Sequence, residues 1–517
     1  MDKLPQEIYD RIVSFIERRI DDPNVPAEER RGRDLAIYPA VASVSRKFQA
    51  AVERLTFRVL HVTATESELN KLERSLTPQR CDYLRFLALC IVFPGHTERP
   101  LIQYERDDTR RANNESATQT LRRIFDILAV AYNRDNHTEP TLNLEISAPN
   151  TPRNLPSKGN IGQLQQEWRR SVFSLLDITG DAADFPNLPA VRTFALTNSF
   201  RSWDPRVALL LSTKVVNAIF TEWDRTYRTS FWGRYYRFDE LYRNSLVNNI
   251  RSTPLPASVR VFSCKLPQVQ VHNALHLPNF IGTENYDPVC CALRHYTRNC
   301  THVRLEGPIH ASLFDPPANV LGGDASCWNN LTELLVKVTM YGPDGVWLFK
   351  RWDGYDTPGS PPGTPTDHYR LPPGYGETEE ELEEAERYLD NHSDAFFGSG
   401  SEHGPYRTIP NDTAMNALLT SFARGCSRLP SLKEAILTAV FDHPENSPVQ
   451  VSCAASNHSF ATWDEEFAEG TDTWRVFLYL NWWRPDEATV EEFKKIGRNK
   501  DGHDSQICYL PWGEYIE

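Results

Sequence analysis

Short runs of aliphatic, β-branched and aromatic residues recur along most of this chain, and stretches with helical apolar spacing separate them. The strand-like runs are 84–93, 142–146, 191–196, 215–220, 259–263, 302–305, 334–340 and 435–440. Helical spacing marks 118–132, 163–176, 238–250 and 288–298. Strand, loop, helix and strand at intervals of a few tens of residues is the order of a parallel array, because parallel neighbours need a crossover long enough to hold a helix. The expected class is therefore α/β with repeated strand and helix units. Its rival is an ordinary α/β domain whose sheet happens to be parallel.

A chain of 517 residues exceeds one ordinary core, so it should form at least two units or one elongated array. Residues 354–376 are rich in Pro, Gly, Thr and Asp and nearly free of aliphatic side chains, so they cannot bury enough apolar surface to order themselves. An acidic, helix-compatible run follows at 379–390, and 399–410 is irregular again. Packing resumes near 412 with a helix at 414–422, an ambiguous helix or strand at 432–441, a strand at 474–480 and a closing helix at 487–496. The expected division is 1–62, 63–353, an insertion over 354–411, and 412–517 with a terminal cap.

The first unit carries two apolar stripes. Leu4 and Pro5 open a helix on which Ile8, Ile12, Phe15 and Ile16 recur at helical spacing. Val41, Val44, Phe48, Val52 and Leu55 form the second, and 57–62 has the composition of a strand. So short a segment makes a poor core by itself, so these wide faces should cover something else, such as another protein.

This stretch resembles the F-box in the form common in filamentous fungi. The resemblance rests on Leu4-Pro5-x-Glu7-Ile8, on Ile12 and Phe15, and on Tyr38-Pro39-Ala40-Val41-Ala42-Ser43-Val44-Ser45-Arg46-Lys47-Phe48 running on to Thr63. It implies that Leu4, Pro5, Ile8, Ile12, Phe15, Val41, Val44, Phe48 and Val52 bind a Skp-type adaptor and, through it, a cullin-RING ubiquitin ligase. The rest of the chain would select the client. The runs 84–89 and 259–262 are similar to the divergent leucine-rich-repeat-like solenoids that follow fungal F-boxes, and Trp474-Arg475-Val476 with Trp482-Trp483-Arg484-Pro485 resembles their ends. The function implied is a non-catalytic substrate receptor of an SCF-type ligase. The alternatives are an F-box protein acting outside any ligase and a cryptic RNA-binding protein.

Net charge of -13 disfavours a general nucleic-acid or acidic-membrane binder. No apolar run is long enough to span a bilayer and no secretory leader opens the chain, so a cytoplasmic or nuclear protein is expected, with its ten cysteines reduced. No phosphate loop, Gly-x-Ser-x-Gly elbow or His-Glu-x-x-His occurs, and no cofactor is expected. Cys290, Cys291, His295, Cys300 and His302 have the atoms for zinc but the wrong spacing, and core thiols explain them better. Gly398 to Gly404, with His403, reads as a solvated loop, and Thr357-Pro358, Ser360-Pro361 and Thr364-Pro365 as accidental kinase dipeptides. From Trp223 to Arg243, aromatic and arginine residues interleave, which suits core packing, RNA or a client surface. The client reading singles out Trp223, Trp232, Tyr236 and Arg237.

Overall fold

The computed structural model describes residues 5–20, 38–93, 105–133, 139–148, 175–197, 203–223, 236–266, 279–317, 328–351, 380, 383, 407–439, 449–455, 473–480 and 483–510. At 15–20, 182, 236–239, 351 and 407–408 it describes the backbone alone. Of the sequence-expected helix at 163–176, residues 163–174 lie outside these residues and Leu176 forms an isolated parallel bridge with Trp203; the low-complexity stretch at 354–376 also lies outside them.

Among the described residues, α1 (Gln6–Ile20), a short helical turn at 38–42 and α2 (Arg46–Thr56) precede the sheet. Then follow β1 (Val59–Ala64), α3 (Glu66–Ser75), α4 (Pro78–Tyr83), β2 (Phe86–Ile91), α5 (Asp107–Asn133), β3 (Leu142–Ser147), β4 (Val191–Thr197) and α6 (Pro205–Ser212). The middle holds β5 (Phe220–Trp223), α7 (Tyr236–Ser252), β6 (Val261–Lys265), α8 (Pro288–Tyr296), β7 (His302–Gly307) and β8 (Glu333–Val338). After the short strands β9 (Phe349–Arg351) and β10 (Arg407–Pro410) come α9 (Asp412–Arg428), β11 (Glu434–Ala439), β12 (Val449–Ala454), β13 (Arg475–Tyr479), α10 (Glu487–Asp501) and β14 (Gln506–Leu510).

The protein is mixed α/β with one large, mostly parallel sheet. Its order is β1-β2-β3-β4-β5-β6-β7-β8-β11-β12-β13-β14, so neighbours in sequence are neighbours in space. Every pairing from β1 to β8, and β8 with β11, is parallel. Right-handed crossovers in this order all fall on one side of a sheet. Burial agrees. In β2, Leu87, Leu89 and Ile91 are buried while Phe86, Ala88 and Cys90 stay half-exposed, and β3, β8 and β11 alternate the same way. The buried side and the helices form one apolar core that contains Leu121, Phe125, Phe194, Phe262, Leu293, Phe422 and Phe493.

Several crossover helices start with the same local chemistry. Thr77, Asp204 and Asp287 accept hydrogen bonds from the first-turn amides, each followed by a proline at the first helical position, where no amide is needed. Close approach also shapes the core. On α9, Gly425 faces Phe314, and a Cβ there would lie 3.0 Å from the Phe314 carbonyl oxygen.

The structure departs from the sequence expectation in several places. β1 belongs to the sheet and not to the N-terminal unit, because it pairs along its length with β2. The fifth strand lies at 220–223 and not at 215–220, since Val215 and Ala218 are buried in the preceding turns. The ambiguous segment near 432–441 is a strand. β12 runs antiparallel to both β11 and β13, so the parallel order breaks there. The insertion also has a defined base. β9 and β10 pair antiparallel with Arg351 opposite Arg407, so the chain leaves for 352–406 and returns at adjacent points. No described helix is long and apolar enough to cross a membrane.

Candidate protein-docking surfaces

The helix pair is built on residues one step out of phase with the stripe visible in the sequence. Tyr9 and Val13 are one helical turn apart and face inward, where they meet Ala51 and Val52 of α2. Tyr9 and Phe48 pack edge to face at 4.7 Å between ring centres, and the Gln6 side chain donates to the Lys47 carbonyl at 3.0 Å. Arg54 pairs with Asp10 across the two helices. Ser45 caps α2 by accepting from the Phe48 amide at 3.3 Å.

That inward choice turns Ile8 and Ile12 outward. They are 37% and 40% exposed, and Val44, in the turn before α2, is 58% exposed. Pro5 is also exposed. Val41 and Phe48 are half-buried against the pair's core, and Val52, 5% exposed, is inside it. Leu4 and the Phe15 side chain lie outside the described residues. Of the sequence-expected adaptor positions, then, Pro5, Ile8, Ile12 and Val44 present surface, and Val52 holds the pair together.

The pair is braced on the first sheet crossover. Arg80 of α4 donates to Glu53 of α2 at 2.7 Å, and its guanidinium lies 4.4 Å from the centre of the Phe57 ring. The Arg80 hydrogen bond, helped by one from Gln49 at 3.0 Å, holds the Glu53 carboxyl below its ordinary value against the opposing effect of burial. Arg54 lies over Tyr83 at 5.3 Å.

The second surface is the side of the sheet that the helices leave uncovered. Because parallel strands keep register, its side chains form rows across the molecule. One row runs Phe86, Asn143, Thr193, Phe220, Val261, His302, Glu333 and Glu434. The next runs Ala88, Glu145, Ala195, Glu222, Ser263, Arg304, Leu335 and Ile436. Cross-strand polar contacts tie them: Thr193 to Asn143 at 2.8 Å, Thr197 to Glu145 at 3.2 Å and Lys337 to Glu306 at 3.1 Å. The uncovered side closes from β12 onward: Ser452 and Ala454, which continue the rows of Ile436 and Glu434, are buried, as are all five residues of β13. Sequence reasoning named none of these rows, although the two-residue alternation within each strand was the signal that gives them.

Trp223, expected at a client surface, is 7% exposed and belongs to the core. It meets Phe262 edge to face at 4.9 Å and its indole donates to Ser212 at 3.3 Å. Trp232 lies outside the described residues. Tyr236 and Arg237 open α7, and their side chains are not described. Arg243 is buried and pairs with Asp287 at 2.6 Å. Burial alone would raise the Asp287 carboxyl, but the Arg243 charge and hydrogen bonds hold it below its ordinary value.

The cysteine and histidine group is dispersed into packing. Cys290 and Cys300 are fully buried, and burial pushes the Cys300 thiol up to about 12 and the Cys290 thiol well above its ordinary value. Cys291 is raised to about 11, again by burial first. His302 pairs with Glu333 at 3.1 Å on the uncovered side. Among the described residues no group of His, Cys, Asp and Glu is placed to hold a metal. Thiols held protonated are poor nucleophiles, and these three pack in the core. No protein-family model matches the chain, and a search of curated proteins finds no match.

Proposed function

We propose that this chain is the substrate-recognition subunit of an SCF-type ubiquitin ligase. The helix pair acts as an F-box that docks on a Skp-type adaptor, and the sheet with its helices acts as a divergent leucine-rich-repeat-like solenoid that holds the client. The observation that carries this reading is the apolar face of the helix pair. Ile8, Ile12 and Val44 remain exposed although the pair has already closed a core of its own. Burying each aliphatic side chain against a partner is worth roughly 1.5 to 3 kcal/mol. The sequential strand order supports the solenoid, since each unit contacts its neighbours in sequence and leaves one side uncovered. In this reading the chain performs no chemistry. It supplies proximity, and other subunits transfer ubiquitin.

The test is capture of purified Skp-type adaptor by wild type and by Ile8→Asp with Ile12→Asp. Capture should be lost in the variant while its circular dichroism stays that of wild type, because both positions face outward. A folded variant that captures adaptor undiminished rules the F-box out. Co-purification of a cullin with the wild-type complex separates a ligase receptor from an F-box protein that works outside a ligase.

A further inference from the structure

We propose that the end of the sheet at which its strands begin binds an extended acidic segment of a partner protein, with Arg85, Arg192 and Arg260 each pairing with one of three carboxylates spaced three residues apart. The site goes beyond the receptor reading and stands on repeat geometry and charge.

The same short frame opens most strands of the sheet. A buried residue is followed by an outward one, then by a half-exposed and a second buried one, as in Leu84-Arg85-Phe86-Leu87, Val191-Arg192-Thr193-Phe194 and Val259-Arg260-Val261-Phe262. At the outward position the backbone carbonyl starts the ladder to the next strand. Arg58 accepts from the Arg85 and Phe86 amides at 2.9 and 3.0 Å, Arg85 from Asn143 at 2.8 Å, Arg192 from Ile219 at 2.9 Å, and Arg260 from Thr301 and His302 at 2.8 and 3.0 Å. These positions are therefore equivalent from strand to strand, and they line one end of the sheet. A bulge keeps Arg192 among them: Val191 pairs with Leu142 and Thr193 with Asn143, which leaves Arg192 as the extra residue.

Charge at this position has one sign. Arg58, Arg85, Arg192, Arg260 and Lys433 occupy it, all exposed, and the frames of β5, β7 and β8 hold Ile219, Thr301 and Thr332. Lys214 and Arg298 add charge in the turns that lead to β5 and β7. Among the described residues none of the cations at the outward position forms an ion pair. Arg85 donates to the Leu84 carbonyl at 3.2 Å, and Arg260 to those of Ala257 and Val259 at 2.5 and 3.3 Å. Carbonyls orient a guanidinium, leave its charge uncompensated and leave donors for a carboxylate. The exposed acids nearest along the chain are Asp82 of α4 and Glu139 ahead of β3, and neither pairs with these cations. Glu333 and Glu434 open β8 and β11, beyond the three arginines, and Glu333 is taken by His302. A partner that complements β2 to β6 at this end must therefore be anionic.

Spacing narrows the occupant further. Strands lie about 4.8 Å apart, which puts Arg85, Arg192 and Arg260, on β2, β4 and β6, at intervals of roughly 9.6 Å. A polyproline-type segment rises about 3.1 Å per residue with three residues per turn, so side chains three apart share a face at about 9.3 Å. Such a segment needs no backbone pairing from the sheet, whose strands here are already paired on both sides. Nucleic acid fits less well. Ile219 stands between Arg192 and Arg260, with Val59 and Val216 exposed at the same end, and these are aliphatic side chains and not rings on which bases stack.

The experiment uses the full chain and a rhodamine-labelled peptide with Glu-Pro-Val-Glu-Pro-Val-Glu in a Gly-Ser frame, read by fluorescence anisotropy. Wild type should bind it, more weakly as salt rises. Arg192→Gln with Arg260→Gln should weaken binding at least about tenfold at an unchanged melting temperature, because both side chains are exposed and glutamine keeps a donor for the loop carbonyls. A peptide of the same composition with its glutamates adjacent should bind more weakly. Failure of wild type to bind the spaced peptide, equal binding by the double variant, or equal binding of the two peptides overturns the inference. So does tighter, arginine-dependent binding of an oligothymidylate of the same charge, which would assign the row to nucleic acid. Adaptor capture is measured on the same sample. Peptide binding without adaptor capture overturns the receptor reading and leaves this site standing, whereas adaptor capture without peptide binding overturns this inference alone.

Discussion

The N-terminal helix pair closes its core on Tyr9, Val13, Ala51 and Val52, whereas the sheet carries one continuous core from Ala64 to Ile496. The difference in scale decides what each can expose. Two helices have too little interior for all their apolar side chains, so Ile8, Ile12 and Val44 are left for a partner. The sheet has interior enough to bury a long run of large apolar residues, and its uncovered side mixes half-exposed apolar residues such as Phe86, Phe220 and Leu335 with polar and charged ones. One region therefore offers a small apolar contact and the other a broad surface on which apolar and polar side chains alternate in rows.

The largest effect should come from the sheet. Phe262→Ala removes a fully buried ring that contacts both Trp223 and Tyr296. We expect a loss of about 3 to 5 kcal/mol in urea denaturation, in keeping with large-to-small changes in cores. A loss below about 1 kcal/mol would show that the core is less continuous than its contacts imply.

Next is the buried pair of Arg243 and Asp287. Removing the acid leaves a buried guanidinium without its charge partner, so Asp287→Asn should cost a few kcal/mol at pH 7, toward the roughly 3 to 5 typical of such breaks. The sign with pH follows from the lowered carboxyl. Its stabilisation is complete above the unfolded value, about 4, and is lost as pH falls through the lower folded value. The gap in urea midpoint between wild type and variant should thus be wide at pH 7 and narrow below about pH 4. An equal gap at both would assign the cost to packing alone.

Tyr9→Ala sharpens the contrast between the regions. The same kind of truncation exceeds what so small a core can absorb, so α1 and α2 should open locally while the sheet melts as before. Hydrogen exchange reads this directly. Amides of 6–20 and 46–56 should lose protection and those of β8 should keep it. Loss of protection in both would mean that the pair and the sheet fold as one unit.

The smallest effect concerns the insertion. Replacing 352–406 with Asn-Gly would join β9 to β10 by a short hairpin at points that are already adjacent. Loop closure changes by only about 0.6 kcal/mol per doubling of length, so the melting temperature should hold or rise slightly. A fall of many degrees would show that the insertion packs on the sheet.

Local pattern alone carried much of the architecture. Aliphatic, β-branched and aromatic composition placed β2, β3, β4, β7, β8 and β13 within a few residues, and the spacing of Leu121, Phe125 and Leu128 marked α5. The strand-and-helix order also implied parallel pairing, which holds from β1 to β8. Shorter elements escaped. Helices α3, α4 and α6 have fewer than three turns, which leaves little room for periodicity to declare itself, and the strands β12 and β14 were not named.

What the sequence by itself determined is therefore composition, period and order: which runs have the make-up of strands, which recur at helical spacing, and that they succeed one another along the chain. Only the tertiary structure decided facing. Ile8 and Tyr9 are adjacent and both apolar, yet Tyr9 turns inward onto Phe48 and Ile8 outward, because a helix has one inner line and the larger ring fills it. Trp223 looked like a surface anchor among arginines and is a core residue, since its place on β5 turns it toward Phe262. Glu145 and Glu222 are far apart in sequence and share a row because parallel register brings every second side chain of neighbouring strands to one side. Facing depends on contacts between distant segments, and local composition holds no record of them.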